Sequence, residues 1–202
     1  MAYNNPTGLP SVSDIVSPYE DQRWYRKEHT DRGEFCHSWI AADLKGLITP
    51  KVPEAYAGYI VSYLRFKPHI KEVYVVERRL TSAKGFCGQG DLICLLDDVY
   101  NNVVAYLDWK TSKAAMKIWT TRLGGYVHLY KEHGILVGGA GTIRLRERPT
   151  PATGDVFPLV DIYYAKELKE FEIDFLSALR VYNNCLHDGK IYASYEHLQE
   201  DF

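Results

Sequence analysis

The hydrophobic pattern changes period along the chain. From about Asp31, "DRGEFCHSWIAADLKG" repeats apolar positions at helical spacing, with Asp31 as the expected N-cap and Gly46 as the stop. "PEAYAGYIVSYLRF" follows, with Tyr56, Tyr59, Ile60, Tyr63 and Leu64 at the spacing of a second helix behind Pro53. At Ile70 the period shortens. "IKEVYVVERRL" is β-branched and alternating, which predicts a strand with Val73, Val75 and Glu77 on one face. "DLICLL" and "VVAYLDWK" predict two more strands, joined by the turn-rich "DDVYNN". Helical spacing returns over about Ala115–His133, striped by Met116, Trp119, Leu123, Tyr126 or Val127, and Tyr130, and stopped by Gly134. "ILVGGAGTIRLRE" reads as a strand bent at its glycines, and "VFPLVDIYY" as a short strand. A last helix is expected over about Ala165–Leu186, with Leu168, Phe171, Phe175, Leu179 and Tyr182 in its stripe.

This order predicts an α/β fold: a central mixed β-sheet flanked by helices, partly antiparallel because the second and third strands form a hairpin. The 202 residues suit a single domain, residues 1–202, with a short N-terminal arm over about 1–16. Ser11 and Ser13 could cap a short helical turn in that arm. Composition alters this little, at 46% apolar and 25% charged residues. A net charge of −2 means that overall charge does not attract nucleic acid. An anionic partner must meet a local basic patch or a bound cation. Cys36, Cys87, Cys94 and Cys185 form no Cys-x-x-Cys pair, which argues against a zinc ribbon. Their scatter fits reduced thiols in a cytoplasmic protein. The first residues show neither a secretory nor a transit pattern, and no run is apolar enough to span a membrane.

The hairpin carries the chemistry. With residues 97–102 as its loop and no bulge, Leu96 faces Val103, Ile93 faces Tyr106, and Asp91 lands opposite Asp108. Opposed Cβ atoms lie ~5 Å apart, and like charges so placed are destabilising. Lys110 shares the face of Asp108, while Trp109 faces away. A proton or a hard cation such as Mg2+ or Mn2+ would relieve the repulsion. Glu77, on the preceding strand, supplies a third carboxylate. These are parts for metal-assisted phosphodiester hydrolysis. The bland alternative is a turn at Gly90-Asp91 and a solvated strand end at Asp108 and Lys110.

Together these residues resemble the PD-(D/E)XK nuclease superfamily in its RecB-like branch, which includes the mitochondrial genome maintenance exonuclease and phage relatives. "PSVSDIV" resembles the Pro-Ser-Val-Thr segment of that branch, and Gly33 and His37 match Gly-x-x-x-His. Glu77 supplies the upstream acid. Gly85, Gly88 and Asp91 match Gly-x-x-Gly-x-x-Asp, and Asp108, Lys110, Thr111 and Ser112 match Asp-x-Lys-Thr-Ser. The branch continues with Gln-x-x-x-Tyr, where this chain has Arg122 and Tyr126. The resemblance implies a restriction-endonuclease-like core and a metal-dependent DNA exonuclease of recombination, repair or phage DNA processing. It implies Asp91, Asp108, Glu77 and the Trp109 backbone carbonyl as ligands to one or two Mg2+ or Mn2+ ions, with His37 at a second position. Lys110 would position water or stabilise the transition state. Arg122, Tyr126, Lys113, Lys117, Thr111 and Ser112 are the candidate DNA contacts, with Arg122 replacing the usual glutamine at a phosphate. Tyr126 also fits the core, and Thr111 and Ser112 also fit a helix cap. Arg144, Arg146 and Arg148 alternate in "RLRER" and would share one strand face, as a DNA contact or a solvated edge. The cysteine spacing does not fit the branch's iron–sulfur members, so no cluster is expected. DNA is the expected partner, with no membrane association. A homo-oligomer or a recombination partner protein is compatible with the resemblance, as is a bacterial or phage-infected cytoplasm. The alternatives are a structure-specific or nicking endonuclease on the same core, a catalytically silent nucleic-acid-binding module, or an unrelated ligand-binding α/β domain.

Overall fold

The computed structural model describes residues 7–20, 26–149, 154–187 and 190–191. Helix α1, Val12–Val16, starts at Ser11. The Ser11 hydroxyl accepts from the Asp14 N–H at 3.1 Å, and the Asp14 carboxylate accepts from the Ser11 N–H at 2.8 Å. These reciprocal bonds satisfy two backbone donors at the helix start. Val12, Ile15 and Val16 are fully buried, so this part of the expected arm belongs to the core. Helix α2, Lys27–Leu44, begins before Asp31. Asp31 is no cap; it pairs with Lys27 at 2.7 Å one turn earlier, which extends the helix upstream. Helix α3 covers Ala57–Phe66.

Five strands follow the expected order: β1 Ile70–Thr81, β2 Cys87–Leu96, β3 Val104–Lys110, β4 Gly139–Arg144 and β5 Leu159–Tyr164. They lie side by side in that sequence in one mixed sheet. Only β3 and β4 pair in parallel, and helix α4, Ile118–Glu132, makes the crossover between them. Helix α5, Ala165–Asn184, ends earlier than expected. Leu186–His187 and Lys190–Ile191 then form a small ladder, β6 and β7. Strand β4 also ends early. Of the three alternating arginines only Arg144 lies in it, while the Arg146 N–H leaves the sheet to bond the Ser62 hydroxyl at 3.0 Å.

The sheet separates two cores. On one face Val12, Ile15, Ile93, Tyr106, Leu123, Tyr130 and Phe175 join α1, α4 and α5. On the other Cys36, Ile40, Tyr63, Phe66, Leu92, Leu107 and Trp109 join α2 and α3. Each large apolar side chain so buried contributes roughly 1.5–3 kcal/mol. Burial pushes the Cys36 and Cys94 thiols up to about 12, so both pack as small apolar groups. Gly124 sets the spacing of α4 and α5. A Cβ there would lie 2.0 Å from the Phe171 carbonyl oxygen, so the helices meet through bare backbone.

Strand β1 departs from simple alternation. Val73 pairs with Cys94 and Val75 with Ile93, so Tyr74 is an extra residue on β1. Val73 is therefore exposed while Val75 packs into the α4–α5 core, and Val73, Val75 and Glu77 do not share a face. Glu77 itself has φ 48°, left-handed backbone within a strand. Among the described residues no helix is long and apolar enough to cross a membrane.

Candidate active site

The sheet register lines up the charged residues. Val76 pairs with Leu92 and Arg78 with Gly90, which places Glu77 opposite Asp91. Ile93 pairs with Tyr106 and Leu92 with Leu107, the register expected from the hairpin, which brings Asp91 to Asp108 one step further. Asp108 pairs with Thr142, and Thr142 with Asp161. Asp108, Thr142 and Asp161 thus form a polar row across β3, β4 and β5, while Asp91 reaches His37 on α2 at the other face. Lys110 and Arg144 pair in the next row on the face of Asp108.

Asp91 is tied down. Its Oδ2 accepts from the Trp109 N–H at 2.9 Å and lies 3.2 Å from His37 Nδ1 on α2. Burial opposes its ionisation, but the His37 charge and hydrogen bond, Lys110 and the Trp109 N–H outweigh it and hold its pKa below the usual carboxylate value. Burial also disfavours the charged imidazole, yet Asp91 holds the His37 pKa up. Asp108 goes the other way. Its Oδ2 lies 2.5 Å from Lys110 Nζ, a close ion pair. Burial nevertheless outweighs the ammonium, the Asp91 charge adds to it, and the Asp108 pKa is raised. Glu77 is raised as well, first by burial and then by Asp91, against His37 and Lys45. Neighbouring carboxylates whose pKa values are driven apart can divide donor and acceptor roles. Lys110 Nζ also sits 5.7 Å from the centroid of the Trp119 ring.

The donors suit a hard divalent cation in kind: three carboxylates and an imidazole. Among the described residues, however, no three such groups converge closely enough to hold one ion. The cause is local. Asp91 turns to Trp109 and His37, and Asp108 to Lys110. The expected ligands are aligned by the strands but not gathered.

The expected DNA contacts fare unequally. Lys113 and Lys117 are exposed in the segment between β3 and α4. Thr111 is buried, and the Ser112 hydroxyl donates to the Ala114 carbonyl at 3.0 Å. Neither caps α4, which starts after Lys117. Tyr126 is half-buried, with its ring 5.1 Å from that of Tyr106. Gly88 makes room for it, since a Cβ there would lie 2.8 Å from Tyr126 Cε1. Arg122 is already engaged: its Nη2 lies 2.7 Å from Oε1 of Glu20, a side chain only 2% exposed.

Two residues escaped sequence reasoning. Glu20 carried no pattern. Arg32 donates to the Thr111 carbonyl at 3.3 Å and lies 5.2 Å from the Tyr59 ring centroid, steadying the end of β3. Its partner is 79 positions away, and no local periodicity reports such a contact.

No family model and no curated protein matches the chain. Among solved structures, the alkaline exonuclease LHK-Exo from Laribacter hongkongensis is 11% identical, at a TM-score of 0.42, over 88% of this chain and 92% of that one. LHK-Exo in complex with dAMP is 14% identical, at 0.40, over 89% and 91%. A candidate exonuclease from Eubacterium rectale is 13% identical, at 0.43, over 80% and 71%.

Proposed function

We propose that this chain is a divalent-metal-dependent deoxyribonuclease that degrades DNA from its ends. The observation that carries the reading is the row of Glu77, Asp91 and Asp108 on adjacent strands, with Lys110 against Asp108. The sequence resemblance supplies the preference for ends and the setting in recombination, repair or phage DNA processing.

Glu77, Asp91, Asp108 and the Trp109 carbonyl would hold Mg2+ or Mn2+, with His37 at a second position. When bound, the ion activates water and offsets charge on the phosphate. The chain's own residues prepare the site. His37 and the Trp109 N–H keep Asp91 ionised and fixed in direction. Lys110 offsets the Asp108 charge, and with a cation in place its ammonium is free to hold a phosphate oxygen or a water. Lys113 and Lys117 would meet the DNA backbone beyond β3, with Thr111, Ser112 and Tyr126 beside the strand end. Arg122 is held by the buried Glu20, which favours a structural role for it over a phosphate contact.

The deciding experiment incubates the purified chain with end-labelled linear DNA and with closed circular DNA, in Mg2+, Mn2+ or EDTA. Linear DNA should shorten from its ends, circles should persist, and EDTA should stop the reaction. Nicked circles would instead make the chain an endonuclease. Intact DNA in every arm would refute the reading.

A further inference from the structure

We infer that Arg144 forms a second phosphate-binding position, one strand beyond Lys110, and that Asp161 occupies it weakly until DNA arrives. This deepens the deoxyribonuclease reading and rests on it. The ligand is a phosphodiester of the bound strand beside the one being cut.

The placement follows from the sheet. Lys110 and Arg144 are paired in the parallel ladder of β3 and β4. Neighbouring strands lie ~4.8 Å apart, and registered residues share a face. Ile143 and Leu145 pack into the α2–α3 core, so Arg144 projects to the opposite face, where Asp108 and Lys110 stand. The Arg144 side chain is 15% exposed, close to the 16% of Lys110. Two cationic residues are thus paired across neighbouring strands, each mostly buried. Like charges on neighbouring strands are unfavourable unless something between them compensates.

Asp108 compensates Lys110, but the compensation of Arg144 is incomplete. Arg144 Nη2 lies 3.5 Å from Asp161 Oδ2, too long for a strong hydrogen bond. Asp161 is 39% exposed, which weakens the pair further. The buried Arg144 Nε has no hydrogen-bond partner among the described residues. An unsatisfied buried donor costs roughly 1–3 kcal/mol. A guanidinium presents five donors in a planar fork that matches two phosphate oxygens. A phosphodiester bridging Lys110 and Arg144 would satisfy the Nε, relieve the repulsion and displace Asp161. Arg148 does not compete for this role, because it is exposed and lies 3.8 Å from its neighbour Glu147.

The test measures binding of a fluorescent single-stranded DNA oligonucleotide in EDTA across a salt series, alongside cleavage in Mn2+. Arg144→Ala should weaken binding about 10- to 100-fold, the loss of one charged hydrogen-bonding group. Its log–log salt slope should shrink by about 0.7. Arg144→Lys should keep the slope and lose part of the affinity. Asp161→Asn should bind more tightly than wild type, because it frees the guanidinium. An unchanged slope in Arg144→Ala overturns the inference. So does Asp161→Asn binding no better than wild type, which marks the pair as a structural tie; this variant decides the matter if Arg144→Ala does not fold. Wild type that fails to bind the oligonucleotide in EDTA overturns the inference, while the deoxyribonuclease reading stands or falls on cleavage in Mn2+. Full cleavage by Lys110→Ala, with the slope still reduced in Arg144→Ala, removes the proposed catalytic centre and leaves the phosphate position standing.

Discussion

Two of the buried histidine–carboxylate groups among the described residues have opposite characters. In one, His128 on α4 meets Glu172 on α5 at 2.6 Å, Lys131 adds a second contact to Glu172 at 3.2 Å, and Glu132 lies 3.3 Å from the other ring nitrogen. In the other, His37 meets Asp91 at 3.2 Å beside Asp108 and Glu77. Burial opposes ionisation in both. At the helix clamp His128 and Lys131 overcome it, and the Glu172 pKa is lowered. At the sheet the cations suffice for Asp91 alone, and Asp108 and Glu77 are both raised. Burial does not distinguish a structural charge cluster from a reactive one. The supply of compensating charge does, and the sheet is short of it.

The largest contrast should appear in activity. Lys110→Ala and Asp108→Ala should each reduce DNA cleavage in Mn2+ by about 10²–10³, the usual cost of one preorganised electrostatic group, with the fold retained by circular dichroism. Glu172→Gln should cleave at the wild-type rate. Equal losses in all three would erase the distinction between the regions.

Arg122 and Glu20 form another buried pair, and it should behave like the clamp. Arg122→Gln leaves a buried carboxylate uncompensated and should cost about 3 kcal/mol in chemical denaturation. Adding Glu20→Gln should recover much of that. The salt slope for DNA should stay unchanged in both. A smaller slope would return Arg122 to the phosphate contact expected from the sequence.

Metal should stabilise one region and ignore the other. A cation that binds only the folded protein adds about 2.7 kcal/mol at a hundredfold excess over its Kd. Asp108→Asn should lose most of that rise in Tm, and should melt above wild type in EDTA. The advantage in EDTA has a defined pH window. A carboxyl whose folded pKa is raised disfavours the fold increasingly as pH climbs past the unfolded value, about 3.9, towards the folded one. The two proteins should therefore converge in acid and separate at neutral pH. Asp98, exposed in the turn, is the proper control, because the Asp97 carboxylate holds His69 at 2.7 Å. A variant that melts lower in EDTA and still responds fully to Mn2+ would show that Asp108 does not face Asp91.

The smallest effect has the opposite sign. Glu172→Gln should cost about 1–2 kcal/mol at pH 7, from hydrogen bonds to a charged group. A depressed carboxyl stabilises above its unfolded pKa, about 4.3, and that contribution fades as pH falls through the lower folded value. Thermal melts across this range would check it. A penalty that persists in acid would mean that the clamp acts by packing and not by charge.

The register of the central hairpin was legible because nothing interrupts it. Asn101 and Asn102, both at positive φ, close the turn, and every position from Leu92 to Leu107 keeps its place. The alternation of β1 misled, because the extra residue at Tyr74 lies in an edge strand with a neighbour on one side only. The two cores were legible as stripes. Arg122 was not, because its partner lies on a different element and a single basic residue on a helix looks the same whether it faces solvent, phosphate or a buried acid. The missed cap of α2 has a similar cause: Asp31 serves equally as a cap or as half of a helical ion pair, and Lys27 decides between them.

Glu77 bears on how such a protein would evolve. Its left-handed backbone, φ 48°, costs an L-residue roughly 1–2 kcal/mol that glycine does not incur. Glycine at this position would therefore spread under selection for heat tolerance alone, and lineages that rely on the proposed DNA cleavage would be drawn back to the carboxylate. Position 77 would thus record in each descendant which of the two pressures had the upper hand.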